Sequence, residues 1–300
     1  MNANKIDWPV LAPNVETVLT DDPQPIRSLA RGDAAAVVIR QAFSKENCRS
    51  LTQQLIDEEL MFAADDSRIG EKALTNDVVG KYLGRSLNPD GGPRRRIDIG
   101  ASMGNFGENR DEFFQLSKET HTLFNRLFAS SPNPVASIYD TLQKLTPDKR
   151  VLTAEEPDGQ QYGPAIFRVH YGGFTYGPHF DSVRNRESRT NYVVHKYQSQ
   201  LAGVLCLQNT TLNGQTAQGI VHRQFWTPEI DPFLKTNSFH DYAHEENVPN
   251  IRVELEPGDL YFFNTGLIHE VPGVPGDLPR VVLATFIGYS EDEPDVMVWS

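Results

Sequence analysis

The apolar positions of this 300-residue chain change their period near residue 160. Before that point they recur at helical spacing. Leu51, Leu55, Ile56 and Leu60 follow Ser44-Lys45-Glu46-Asn47, whose serine suits an N-cap, and the pattern predicts a helix from Ser44 to about Ala64. Phe113, Phe114, Leu116, Leu123, Phe124 and Leu127 form the apolar side of a second helix over 109–129. A third runs from Pro134 to Leu145 and is closed by Thr146-Pro147, because the residue before a proline is pushed out of helical geometry. Ala34–Arg40 reads as a short apolar strand. Residues 1–33 are polar and proline-containing and are expected to wrap the surface, and residues 65–108, rich in Gly, Asp, Asn and Arg, are expected to be irregular.

From Pro164 onward, strand-like runs follow at 164–171, 202–208, 219–226, 251–256, 260–264 and 280–288, joined by Gly, Pro, Asn and Asp turns. Many short strands with such turns predict a sandwich or jelly-roll barrel. The expected fold class is therefore mainly β with a helical N-terminal part. Residues 1–150 are read as a helical buttress of the same domain and 151–300 as its jelly-roll core. Thr227–Asn250 is too long for a hairpin loop and carries Phe233, Phe239 and Tyr242 in a polar setting. Excursions of that length in a compact domain are commonly lids, and 227–250 is read as a substrate lid.

Composition narrows the function classes. A 39% hydrophobic content over 300 residues is enough for one large core. No run is apolar and long enough to cross a membrane, and the start, MNANKIDWPVLAP, lacks the charged-then-apolar pattern of a secretory signal, so a cytoplasmic protein is expected. Cys48 and Cys206 are too few for a disulfide framework or a thiolate zinc site and read as reduced structural thiols. A net charge of -12 argues against nucleic acid as a partner, since phosphate binding draws on clustered Lys and Arg. The one basic cluster, Arg94-Arg95-Arg96, follows Pro89-Asp90-Gly91-Gly92-Pro93 and reads as a solvated loop edge.

The candidate chemistry lies in the second half. His179-Phe180-Asp181 is followed ninety residues later by His269, and eleven residues after that by Arg280. On a strand, His179 and Asp181 project from the same face. Two imidazoles and one carboxylate on one face of an octahedral metal leave three positions open, and iron(II) oxygenases use such positions for a co-substrate and O₂. His269 is placed to supply the third ligand from a strand folded back beside the first. Arg280 adds what a metal alone would not need: a planar guanidinium grips a carboxylate in bidentate fashion, which suits the far end of 2-oxoglutarate. A competing pair, His240 and His244, stands one helical turn apart with Asp241 after the first. It echoes the zinc-protease helix, but Asp is shorter than the Glu of that motif, and the two histidines read as solvent-facing. No Gly-x-Ser-x-Gly or phosphate-binding loop pattern is present.

These residues carry a resemblance. The chain resembles the iron(II)/2-oxoglutarate-dependent oxygenases, with Tyr176-Gly177-Pro178-His179-Phe180-Asp181 similar to the prolyl-4-hydroxylase-like branch. A nearer likeness, over roughly residues 160–300, is to the carrier-free alkaloid halogenases of the hapalindole and welwitindolinone type. It rests on Tyr162-x-Pro164-Ala165-x-x-Arg168, the spacing from His269 to Arg280, and the Trp299-Ser300 ending. The resemblance implies a double-stranded β-helix buttressed by α-helices, with Fe(II), 2-oxoglutarate and O₂ as cofactor and co-substrates and a small organic molecule as substrate. It also implies His179, Asp181 and His269 as metal ligands. Arg168 and Tyr176 are further candidates for the co-substrate pocket; a salt bridge and a barrel aromatic are their structural alternatives. Those halogenases carry glycine where this chain keeps Asp181, and the departure predicts hydroxylation or another oxidation. Two other readings fit the same residues: a peptide hydroxylase of prolyl-hydroxylase type, and a non-enzymatic cupin-like binding protein.

Overall fold

A computed structural model describes residues 8–66, 96–105, 109–186 and 188–300. In chain order the strands are β1 (Val10–Leu11), β2 (Ala36–Ile39), β3 (Arg96–Ile99), β4 (Arg150–Thr153), β5 (Ile166–His170), β6 (Tyr176–His179), β7 (Ser199–Gln208) and β8 (Thr211–Leu212). They continue with β9 (Gln215–Thr216), β10 (Gly219–Phe225), β11 (Asn250–Val253), β12 (Leu260–Asn264), β13 (Leu267–Val271), β14 (Arg280–Tyr289) and β15 (Asp295–Trp299). Among the described residues, nine strands form a large sheet along the path β1-β2-β12-β7-β14-β15-β4, with β5 joining β14 to β3. A smaller sheet, β11-β10-β13-β6, faces it, and together they make the double-stranded β-helix.

Strand parity sorts the side chains between two cores. On β12, Leu260 and Phe262 pack with the helices, whereas Tyr261 and Phe263 point between the sheets. Val204 and Val282 share that inner face, and Leu205 and Leu283 share the outer one. Because both faces are covered, β7 and β14 are buried along almost their whole length. The helices Lys45–Asp57, Arg110–Leu127 and Pro134–Leu145 form the outer layer, burying Leu51, Leu55, Leu123, Phe124, Ile138 and Leu142 against the large sheet. Their starts are those legible in the sequence. The Ser44 hydroxyl accepts from Asn47 N, Asn109 Oδ1 from Glu112 N, and Pro134 opens the third helix.

Several expectations need correction. The first helix stops at Asp57, not near Ala64, because Glu59 takes a left-handed conformation (φ 56°) that turns Leu60 and Met61 into the core. Residues 8–33 do more than wrap the surface: they contain helices Val15–Asp21 and Pro25–Arg31, which bury Val18, Ile26 and Leu29. Two seven-residue helices are too short to display a period. The stretch expected to be irregular contains β3, pairing antiparallel with β5; its charges hid it, since Arg96 and Asp98 satisfy one another inside the fold. Within that stretch, 67–95 and 106–108 lie outside the described residues. The first half thus also supplies β1, β2 and β3 of the large sheet.

The excursion 227–250 is not seated over the cavity described below. It forms helices Asp231–Lys235 and Phe239–Glu245, and its apolar side chains cover the outer face of the small sheet. Phe239 is buried against Phe180, Ile230 and Ile268, and Phe180 stacks on Trp226 at 4.6 Å. Parity gives the reason: Phe180 and Ile268 are chain neighbours of His179 and His269 and must point to the opposite face, leaving an apolar surface there to be covered. His240 and His244 remain exposed. No helix among the described residues is long and apolar enough to cross a membrane.

Candidate metal centre

The small sheet brings the two distant histidines together. β6 and β13 run antiparallel with His179 directly opposite His269, and their ring centroids are 4.1 Å apart. Asp181 follows on the same face as His179, just beyond the strand. Its backbone is held at both ends, since Asp181 N donates to the Thr265 carbonyl and Thr265 Oγ1 donates to the Asp181 carbonyl, each at 2.9 Å.

Both imidazoles are oriented in the same way. His179 Nδ1 lies 2.8 Å from the Gly177 carbonyl and His269 Nδ1 lies 2.8 Å from the Leu267 carbonyl. A carbonyl can only accept, so Nδ1 carries the proton in each ring and Nε2 presents its lone pair. Those two Nε2 atoms stand 3.7 and 3.6 Å from the same oxygen, Asp181 Oδ2. One ligand atom from each residue fits within 4.8 Å of the others. The other oxygen, Oδ1, accepts from Arg186 at 2.9 Å, and Arg186 also donates to the Phe180 carbonyl.

Electrostatics favour the ligand forms. Burial and the nearby His269 push His179 well below its ordinary value, keeping the ring neutral. Burial opposes ionisation of Asp181, but His269, His179 and Arg186 outweigh it and hold the carboxyl below the usual carboxylate range. Two imidazoles and one carboxylate oxygen, converging on one point, fit the face of an octahedral iron(II) ion.

A cavity of about 100 Å³ opens at these ligands, with Arg96, Arg168, Tyr176 and Arg280 in its wall. Register across β3, β5 and β14 sets the row Arg96–His170–Arg280 beside the row Asp98–Arg168–Val282. Arg280 is 5% exposed, and neither its guanidinium nor that of Arg168 makes a hydrogen bond or ion pair with a described residue. Burial, and then the charge of Arg96, lower the Arg168 pKa. The Tyr176 ring stands edge-on to His179 at 4.0 Å, and the Arg96 guanidinium lies 5.5 Å from the Tyr176 ring centre.

The structure thus brings all six sequence candidates into one cavity. It also adds three that local sequence did not disclose. Arg96 was read as part of a solvated loop edge, yet its side chain is buried and bonded twice to Asp98, at 2.7 and 2.6 Å. Arg186, five residues past Asp181, and Thr265, four before His269, act through contacts that no spacing announces.

A double-stranded β-helix with two histidines and one carboxylate converging at its inner face defines the non-haem iron, 2-oxoglutarate-dependent oxygenase class of enzymes. Residues 14–300 match the family model described as carrier-protein-independent halogenase WelO5, and the chain belongs to that family. Among solved structures, it is similar to an N-substituted L-amino acid dioxygenase from Burkholderia ambifaria AMMD, at 15% identity and a TM-score of 0.52 over 92% of this chain and 90% of that one. The same dioxygenase in complex with alpha-KG matches with a TM-score of 0.50, again at 15% identity and with the same coverage. Identity this low speaks for the fold alone. No curated protein matches the chain significantly.

Proposed function

We propose that this chain is an Fe(II)- and 2-oxoglutarate-dependent oxygenase that hydroxylates an unactivated C–H bond of a small organic substrate and does not transfer halide. The observation that carries the reading is the placement of Asp181 Oδ2 within 3.7 Å of both histidine Nε2 atoms. A carboxylate there occupies the coordination position that a glycine would leave to halide, and its negative charge opposes a second anion.

In this reading His179, Asp181 and His269 hold the iron. Arg280 ion-pairs the distal carboxylate of 2-oxoglutarate, with Tyr176 and Arg168 on the same cavity wall. Iron bound there supplies O₂ activation, and the balanced overall reaction turns substrate C–H, 2-oxoglutarate and O₂ into C–OH, succinate and CO₂. The chain's own part is placement. The Gly177 and Leu267 carbonyls fix both imidazole tautomers, Arg186 leaves one carboxylate oxygen for the metal, and Val204, Phe263, Val282 and Phe286 wall the cavity against water.

The test is metal content together with succinate formation. His179→Ala and His269→Ala are expected to lose iron and turnover together; wild-type iron occupancy and turnover in both variants would remove the assignment.

A further inference from the structure

Beside the metal cavity lies a second, larger one of about 320 Å³, sharing Arg96, Arg168, Tyr176, Asp181 and Phe286 with the first. Four arginines line it, Arg96, Arg168, Arg186 and Arg189, with Asp181 the single acid among its described lining residues. Three of the four already have partners. Arg96 is bound through two nitrogens to Asp98, Arg186 holds Asp181 Oδ1, and Arg189 donates to the Met103 carbonyl.

Arg168 differs. It sits between Asp98 on β3 and Val282 on β14, but the Asp98 oxygens face Arg96, and the Arg168 guanidinium has no hydrogen-bond or ion-pair partner among the described residues. A guanidinium does not shed its proton in a protein. A partly buried cation without a counter-charge is costly, so such groups are paired in the working state. The charges of the loaded site show what is left over. Two carboxylates, Asp181 and the keto-acid end of 2-oxoglutarate, match a divalent iron. Arg280 takes the distal carboxylate and Arg96 has Asp98, the solvent-reaching Arg186 shares Asp181 with the metal, and Arg189 donates to a carbonyl, so the cavity keeps an excess of positive charge and Arg168 is the guanidinium in it with no partner among the described residues.

We infer that the larger cavity is the substrate site and that it takes an anionic substrate, whose carboxylate or phosphate group pairs with Arg168 while its carbon skeleton reaches the metal centre. This rests on the reading of Arg280 as the co-substrate anchor. Pairing at Arg168 places the charged end of the substrate on the large sheet and leaves the oxidised carbon on the side of His179 and Asp181. The arrangement fixes orientation as well as affinity.

The experiment is calorimetric titration of the full chain, loaded anaerobically with Fe(II). 2-Oxoglutarate is added first, followed by two matched probe pairs: N-acetyl-L-phenylalanine with its amide, and AMP with adenosine. At least one anionic probe is expected to bind about tenfold or more tighter than its neutral counterpart, the margin of a charge-assisted hydrogen bond. Which pair shows the margin separates a carboxylate from a phosphate substrate. Arg168→Gln is expected to abolish the margin and Arg168→Lys to keep part of it, with 2-oxoglutarate affinity unchanged in both. Equal binding within both pairs in wild type, including no binding at all, overturns the inference without reference to any variant. A tenfold loss of 2-oxoglutarate affinity in folded Arg168→Gln overturns it too, by assigning Arg168 to the co-substrate. Failure of wild type to bind 2-oxoglutarate in the first addition is a separate result, which removes the reading of Arg280.

Discussion

Replacing Phe239 with alanine decides between two roles for the excursion 227–250. Phe239 is 1% exposed, packs on Phe180, Ile230 and Ile268, and stands edge-on to the His222 ring at 5.0 Å. The His222 Nε2 atom lies 3.0 Å from Glu270, the residue after His269, so the ring supports the strand pair that carries both histidine ligands. Deleting a buried phenylalanine costs about 3–5 kcal/mol once the cavity it leaves is included. For a 300-residue chain, an unfolding entropy of about 0.6 kcal/mol/K converts that loss into a melting point lower by about 5–8 °C. Circular-dichroism melts give the stability, and anaerobic iron titration gives the second readout. Iron affinity is expected to fall with stability, because Phe180 and Ile268 flank the ligands on their own strands, while 2-oxoglutarate affinity and substrate scope hold. A melting point within about 1 °C of wild type, combined with changed substrate scope, would refute the buttress reasoning and restore a lid.

Three further outcomes follow from the site. Arg280→Ala is expected to bind iron yet lose about two to four orders of magnitude in 2-oxoglutarate affinity, since breaking one side of a buried charge pair costs about 3–5 kcal/mol; an unchanged Michaelis constant for 2-oxoglutarate would move the anchor elsewhere. Arg186→Gln, which removes the charge holding Asp181 Oδ1, is expected to weaken iron binding roughly 10–100-fold, read by metal titration, and to be tolerated by the fold because the side chain is 44% exposed. Wild-type protein turning over in high chloride is expected to give oxygenated product alone by mass spectrometry, and Asp181→Gly to bind iron weakly with at most partial halogenation; a chlorinated product from wild type would show that Asp181 leaves the metal during turnover.

Much of this molecule was legible in its sequence, wherever the signal was local and repeated. Helical spacing with a cap located Lys45–Asp57, Arg110–Leu127 and Pro134–Leu145, and turn-bounded runs located β5, β7, β10, β12 and β14. The order His179, Asp181, His269, Arg280 singled out the candidate site because each residue type has a separate chemical task there. What the sequence could not state was which face each side chain takes and what it meets across the chain. Arg96 stands in an arginine run that looks solvated, and only pairing of β3 with β5 buries it and sets Asp98 against it. Phe239 belongs to a segment whose length suggested a lid, and only the parity of β6 and β13, which turns Phe180 and Ile268 away from the metal ligands, gives it a different surface to cover. Helical period and residue type are properties of neighbours along the chain; the partner of a buried charge is set by register between strands far apart in sequence, and that is decided when the sheet closes.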